Sequence, residues 1–193
     1  MRPGRRVVTF YVTLGGLPVA CAHAAAARRR LAGLPGLDLV PDEWLHLTVQ
    51  EVGFSDEVTD GELTAIIAAA REGLAALAPA TVAIGAPRPA GEGILCRVAP
   101  ASALVPAREV VRAAIGSVRG TERVLDSAEW ARWTPHVSLA YANADGPAEP
   151  FEAALDGLTD EATITVGAID LIRFGRDRHM YEWETIARLP LGG

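Results

Sequence analysis

The chain contains no lysine, and all 18 of its basic residues are arginine. Alongside abundant alanine and glycine this reads as a compositional bias, and no function follows from it. Cysteine is scarce as well. Cys21 and Cys96 are the only two in 193 residues. Without metal-type spacing they exclude a disulfide framework and a paired-cysteine zinc site, and both are expected to be reduced core thiols of a cytoplasmic protein. No apolar run approaches the roughly 20 residues that span a bilayer. The basic start Met1-Arg2-Pro3-Gly4-Arg5-Arg6 leads into strand alternation with no small-residue cleavage site, so no signal peptide is expected. The net charge of −6 has the wrong sign for an extended nucleic-acid track, which needs many basic contacts to phosphate. A pocket with a few local arginines holding one phosphate stays open. Also missing are a Gly-x-Ser-x-Gly elbow, a Walker or dinucleotide glycine pattern, and His-Glu-x-x-His.

Half of the residues are hydrophobic and 22% charged, which is ordinary globular composition for one domain with a real core. Val7 to Thr13 reads as a first strand. Gly15-Gly16 ends it, and Pro18 opens an Ala-rich helix to about Leu31 that contains His23, read as incidental. A strand is expected over about Trp44 to Val52. A helix capped by Thr59 or Asp60 then buries Leu63, Ile66, Ile67, Ala70, Leu74 and Leu77. Thr81 to Ala86 and Ile94 to Ala99 form a hairpin around Gly91-Glu92-Gly93, followed by a helix from Ser102. Gly116 to Trp133 reads as a polar connection. A strand to about Ala142, a short helix Phe151 to Leu158, a strand Ala162 to Phe174 and a last strand Tyr181 to Leu189 complete the chain. His179 falls at a polar turn and is expected to be solvated.

Two stretches match each other. Trp44-Leu45-His46-Leu47-Thr48-Val49 and, ninety residues on, Pro135-His136-Val137-Ser138-Leu139-Ala140-Tyr141 both give His, apolar, hydroxyl, apolar. In a strand each pattern sets an imidazole and a hydroxyl on one face, about 7 Å apart by strand rise, with the apolar residues on the other. One copy is weak; two copies in equivalent settings imply a repeated helix, strand, helix, strand, strand unit. The expected fold is α+β, a single bilobal domain over 1–193. Its pseudo-symmetric lobes span roughly 14–100 and 101–193, with the strand at 7–13 added to the sheets. Two antiparallel sheets, or one strongly bent sheet, line a central cleft, with helices outside. Paired histidines with paired hydroxyls suit metal-free phosphodiester chemistry. One neutral imidazole takes a proton from water, the other donates one to the departing ribose oxygen, and the hydroxyls bind the non-bridging oxygens.

The pair His46-Leu47-Thr48-Val49 and His136-Val137-Ser138-Leu139 resembles the signature of the two-histidine phosphoesterases, which include the 2′-5′ RNA ligase-like proteins and the 2′,3′-cyclic phosphodiesterases. The resemblance implies a bilobal fold around a cleft. It implies His46 and His136 as catalytic residues, no cofactor and no metal. The implied reaction is hydrolysis of a 2′,3′-cyclic phosphate, on a small nucleotide or an RNA end, to a 2′-phosphomonoester. Ligase-like members often carry arginine five residues after the second histidine; Tyr141 stands there, which looks more like the cyclic phosphodiesterase branch, whose tyrosine helps hold the phosphate beside Thr48 and Ser138. Strict alternation turns Tyr141 away from His136, so that role requires a bulge or an early strand end. Tyr11, Trp44 and Trp133 are candidate walls for a base or sugar, and Arg132 and Arg176 candidate phosphate contacts. Joining of RNA ends through a 2′-5′ bond, a non-catalytic nucleotide or RNA-end binding module, and a structural domain with both histidines buried are the competing readings. No membrane partner is expected, and the chain is expected to be a monomer.

Overall fold

The computed structural model describes residues 4–91, 93–124, 133–177 and 179–192. Local chemistry accounts for most of its elements. Strand β1 (Val7–Thr13) is β-branched and aromatic, and helix α1 (Pro18–Leu31) takes Pro18 in its first turn and buries Ala20, Ala24, Ala27 and Leu31 at helical spacing. A short β2 (Leu37–Leu39) and a 3-10 turn over Asp42–Trp44 precede β3 (His46–Phe54). Helix α2 (Asp60–Ala75) starts on a capping box: the Glu62 amide donates to Thr59 Oγ1 at 3.2 Å, and the Thr59 amide donates to Glu62 Oε2 at 2.8 Å. Strands β4 (Ala80–Ala90) and β5 (Gly93–Ala99) form the expected hairpin, turning at Gly91 with φ +55°. Helix α3 (Val105–Arg119) begins after a 3-10 turn at Ala101–Ala103, three residues later than Ser102. Then follow β6 (His136–Ala142), α4 (Glu149–Leu155), β7 (Ala162–Val166), β8 (Ala168–Gly175) and β9 (Glu182–Pro190). Among the described residues no helix is long and apolar enough to cross a membrane.

Among the described residues nine strands form one antiparallel sheet in the order β7-β4-β5-β6-β3-β1-β8-β9, with β2 paired to β6. Of the two arrangements expected from the sequence, this is the single bent sheet. The single strand expected over Ala162 to Phe174 is two, broken at Gly167. β7 pairs with β4 near one edge and β8 with β1 near the other. Six inter-strand steps of about 4.8 Å would separate β7 from β8 in a flat sheet, roughly 29 Å. A one-residue link cannot cover that distance, so the sheet curls strongly enough to bring Val166 of β7 next to Ala168 of β8. The strands sort as β7-β4-β5-β6 and β3-β1-β8-β9 about the β6–β3 contact. These halves interleave along the chain, so a contiguous split near residue 100 is not how the strands divide.

One face of the sheet packs on the helices. Val8, Phe10 and Val12 of β1, Leu47, Val49 and Val52 of β3, and Val137 and Leu139 of β6 are buried there with Leu31, Ile66, Leu74, Val111 and Ile115. Cys96 is in this core, while Cys21 is half-buried and its thiol faces the Gly15 carbonyl at 3.4 Å. His23, read as incidental, is half-buried with Nε2 3.0 Å from the Gly85 carbonyl, tying α1 to β4. The other face of the sheet is concave and carries a second cluster of Val7, Tyr11, Ile172 and Phe174.

Strand β3 is not regular. Against β1 it skips Val52 and then Val49, because Val8 faces Gly53, Thr9 faces Glu51, Phe10 faces Gln50 and Tyr11 faces Thr48. Each bulge takes a residue out of the ladder, and the carbonyls of both residues are met by buried arginines of α3. Arg108 Nε donates to Val49 O at 3.2 Å, and Arg119 Nη1 donates to Val52 O at 2.7 Å, while Arg119 Nη2 reaches Glu57 O at 2.9 Å. Replacing Arg119 with Met keeps the apolar stem but leaves two carbonyls without that donor, so Arg119→Met is expected to cost about 3 kcal/mol. Urea unfolding at pH 7 measures it, as a fall in midpoint at unchanged slope.

Candidate active site

The two matched stretches lie side by side. β3 and β6 are antiparallel neighbours, meeting at one registered pair among the described residues, Leu47 opposite Val137. Each strand begins at its histidine and the two run away from each other. By register His46 stands beside Ser138 and Thr48 beside His136, all on the concave face, because Leu47 and Val137 point into the core at 1% and 2% exposure. Directly opposite side chains in such a ladder are about 5 Å apart and diagonal ones about 7–8 Å. All four line one cleft of about 380 Å³, together with Tyr11, Glu51, Tyr141, Phe174 and Tyr181.

The same distortion occurs twice. In β6 the pairing with β5 runs Ser138 to Leu95 and then Ala140 to Ile94, so Leu139 is the extra residue. Leu139 follows His136 by three, as Val49 follows His46. The bulge resolves the alternation problem at Tyr141: one added residue returns its side chain to the face of His136 and Ser138, and Tyr141 lines the cleft. Gly93 is required opposite, since a Cβ there would collide with the Ala140 carbonyl.

Both imidazoles are held by the same contact. His46 Nδ1 is 2.9 Å from the Trp44 carbonyl, and His136 Nδ1 is 3.0 Å from the Thr134 carbonyl. A carbonyl only accepts, so each Nδ1 carries the proton and each Nε2 is the free nitrogen of the neutral ring. Their surroundings differ. His46 is 8% exposed, stacked on Tyr11 at 4.1 Å between centroids and met edge-on by Trp183 at 5.2 Å. His136 is exposed, with Arg97 registered opposite it on β5. Burial, opposed by the Trp44 carbonyl and aided by His136, pushes His46 from 6.5 down to about 4. At neutral pH His46 is therefore in its proton-accepting form. Burial also raises the phenols of Tyr11 and Tyr141, while the neighbouring side chains of Thr48 and Ser138 pull in the opposite sense.

The other residues singled out from sequence take varied places. Tyr11 lines the cleft, with one ring face covered by His46. Trp44 packs edge-on against Trp183 at 4.8 Å and holds His46 through its carbonyl, and it is not among the residues lining the cleft. Trp133 donates from Nε1 to the Thr48 carbonyl at 3.2 Å and lies under the Arg108 guanidinium, so it braces β3. Arg132 lies outside the described residues. Arg176 stands over the rings of Tyr141 and Tyr181, at 5.2 and 5.1 Å, beside a hollow shared with Asn143 and His179. His179 is exposed, as expected.

Sequence reasoning missed Phe174, Tyr181, Trp183 and Glu51. The aromatics come from the β8–β9 hairpin, whose position beside β1 depends on non-local pairing. Glu51 was within reach: it stands five residues after His46, as Tyr141 stands five after His136.

A model of the 2′-5′ RNA ligase superfamily matches residues 17–178. The chain belongs to that superfamily. The family is thus a two-histidine phosphoesterase family, and solved structures agree on the fold. The protein TT0787 of Thermus thermophilus is 19% identical, with TM-score 0.75 over 97% of this chain and 98% of its own. Escherichia coli LigT in apo form is 13% identical, with TM-score 0.69 over 98% and 99%. The MHV ns2 PDE domain is 13% identical, with TM-score 0.60 over 88% and 99%. No curated protein matches by sequence.

The depressed basicity of His46 gives a stability prediction. With a folded value below the unfolded one, its contribution is fully present above pH 6.5 and lost as pH falls to about 4. A shift of that size corresponds to about 3 kcal/mol. The wild type should lose that much more stability than His46→Gln between pH 7 and pH 4, read by chemical denaturation at both values.

Proposed function

We propose that this chain is a phosphodiesterase that opens the 2′,3′-cyclic phosphate of a small nucleotide or an RNA end, leaving a 2′-phosphomonoester, by acid–base catalysis between His46 and His136. The observation that carries the reading is the convergence of both histidines and both hydroxyls on one cleft wall, each imidazole oriented through Nδ1 with Nε2 left for chemistry. In the reaction one neutral imidazole takes a proton from water, the water oxygen bonds to phosphorus, and the bond from phosphorus to the ribose 3′ oxygen breaks. The second imidazole, protonated, gives its proton to that oxygen. Thr48 and Ser138 donate to the non-bridging oxygens, where negative charge grows as the bonds change. Tyr141, beside Ser138, extends the oxyanion contacts, and Arg176 at the Tyr141 rim supplies positive charge for the phosphate end. Tyr11 is assigned to orienting His46, with Phe174 and Tyr181 as the apolar wall.

Relatives of the same fold are consistent with a nucleotide of this size. Escherichia coli LigT has been solved with phosphate, with 3′-AMP and with ATP. The reverse reaction, joining RNA ends through a 2′-5′ bond, is a second reading favoured by the family match. Tyr141 in the place where ligase-like members often have arginine weighs toward hydrolysis.

Each proton transfer of this kind is worth about 10²- to 10⁴-fold. His46→Ala and His136→Ala are each expected to lower kcat on adenosine 2′,3′-cyclic phosphate by at least 10²-fold. The wild-type rate should be indifferent to EDTA, and the product should be the 2′ isomer by phosphorus NMR. Wild-type rates in either variant would contradict the mechanism. Ligation of cleaved tRNA halves without hydrolysis would favour the reverse reading.

A further inference from the structure

Among the described residues lining the cleft, Glu51 is the one acid, and the phosphoryl chemistry gives it no task. Its place is fixed by backbone. The bulge at Val49 turns it to the concave face, beside Thr9 and five residues past His46, as the bulge at Leu139 turns Tyr141. An anionic side chain in a cleft built for a phosphate is unfavourable unless it meets a hydrogen-bond donor or cation. No arginine among the described residues pairs with it; burial alone raises its carboxyl above the usual range. A carboxylate with no such partner among the described residues, at the edge of a nucleotide cleft, matches a donor that arrives with the substrate.

We propose that Glu51 reads the nucleobase of the substrate, accepting hydrogen bonds from its Watson–Crick edge, and that it favours guanine. The proposal rests on the cyclic-phosphate reading and adds a specificity determinant to it. Glu51 lies three residue steps past Thr48, up to about 10 Å of chain shortened by the bulge. That is the scale of the span from a ribose-bound phosphate to the far edge of its base. Tyr181 and Phe174 line the same cleft and supply the apolar surface on which a planar base lies. Guanine alone offers two adjacent donors, N1–H and the N2 amine, side by side as the two oxygens of a carboxylate require. Adenine and cytosine pair one donor with an acceptor, and uracil places its donor between two acceptors. Donors from guanine also hold the carboxyl in its charged form.

The test compares kcat/KM for the 2′,3′-cyclic phosphates of guanosine, inosine and adenosine. Inosine lacks only the N2 amine. The wild type should prefer guanosine to inosine by about tenfold, the scale of one hydrogen bond to a charged group. Glu51→Gln keeps the shape of the side chain but replaces one acceptor by a donor. It should bring the guanosine-to-inosine ratio close to one and raise the relative rate on adenosine, to which an amide can bond twice. Turnover of all three at similar efficiency by the wild type overturns the proposal, as does a ratio retained in Glu51→Gln. A uniform loss across all three bases also overturns it, since it assigns Glu51 to the ribose. Calorimetry with the 2′-monophosphates of guanosine and inosine separates this proposal from the parent reading. Guanosine-selective binding that Glu51→Gln abolishes, in a protein that turns over no cyclic phosphate, sustains base reading and sinks the reaction. Absence of selective binding overturns base reading whatever the turnover.

Discussion

The architecture depends on one short antiparallel overlap. β3 and β6 meet where Leu47 faces Val137, both buried against the helices. Side-chain direction in a strand has a period of two, so fixing these two residues inward fixes their neighbours outward on both strands. That is how His46, Thr48, His136 and Ser138, ninety residues apart in pairs, arrive on one cleft wall. A slip of one residue in either strand would bury an imidazole and expose an aliphatic chain, a double cost that holds the register. The twofold character of the site follows from the same overlap, since an antiparallel pair of identical patterns is related by an axis through its centre.

Regular strands alone do not make this cleft. Each motif strand carries an extra residue three positions after its histidine, which aims Glu51 and Tyr141 at the same space as the motif. Bulges strip carbonyls from the ladder, and Arg108 and Arg119 meet those of Val49 and Val52 from α3. These arginines, buried for structural reasons, serve the site at one remove. The two halves are alike in backbone and unlike in environment. His46 is enclosed by Tyr11 and Trp183, whereas His136 is open to solvent. The symmetric frame thus holds an asymmetric pair of imidazoles, suited to a reaction in which one accepts a proton while the other donates.

What could be read from the sequence was what local physics determines. The β1 strand, Pro18 at the start of α1, the Thr59 cap, the hairpin at Gly91 and the motif strands all appear where their residues predict. The break at Gly167 could not be read, because the stretch 162–174 is good strand throughout and divides only because the curled sheet needs it in two places. Trp133 illustrates the limit for single residues. Its composition suits a stacking platform, while its neighbours in space make it a donor to the Thr48 carbonyl. Strict alternation turns Tyr141 away from His136, and the bulge in the β5–β6 register brings it to the cleft face. Comparing the two motifs position by position, beyond the four matching residues, would have raised Glu51 as well.

The central claim is that the four motif side chains serve a single phosphate. A crystal structure of the protein with guanosine 2′-monophosphate bound tests it most directly. The account predicts one phosphoryl group within about 3 Å of both Nε2 atoms and of the Thr48 and Ser138 hydroxyls. A phosphate held by only one histidine, or bound outside the cleft, would contradict it.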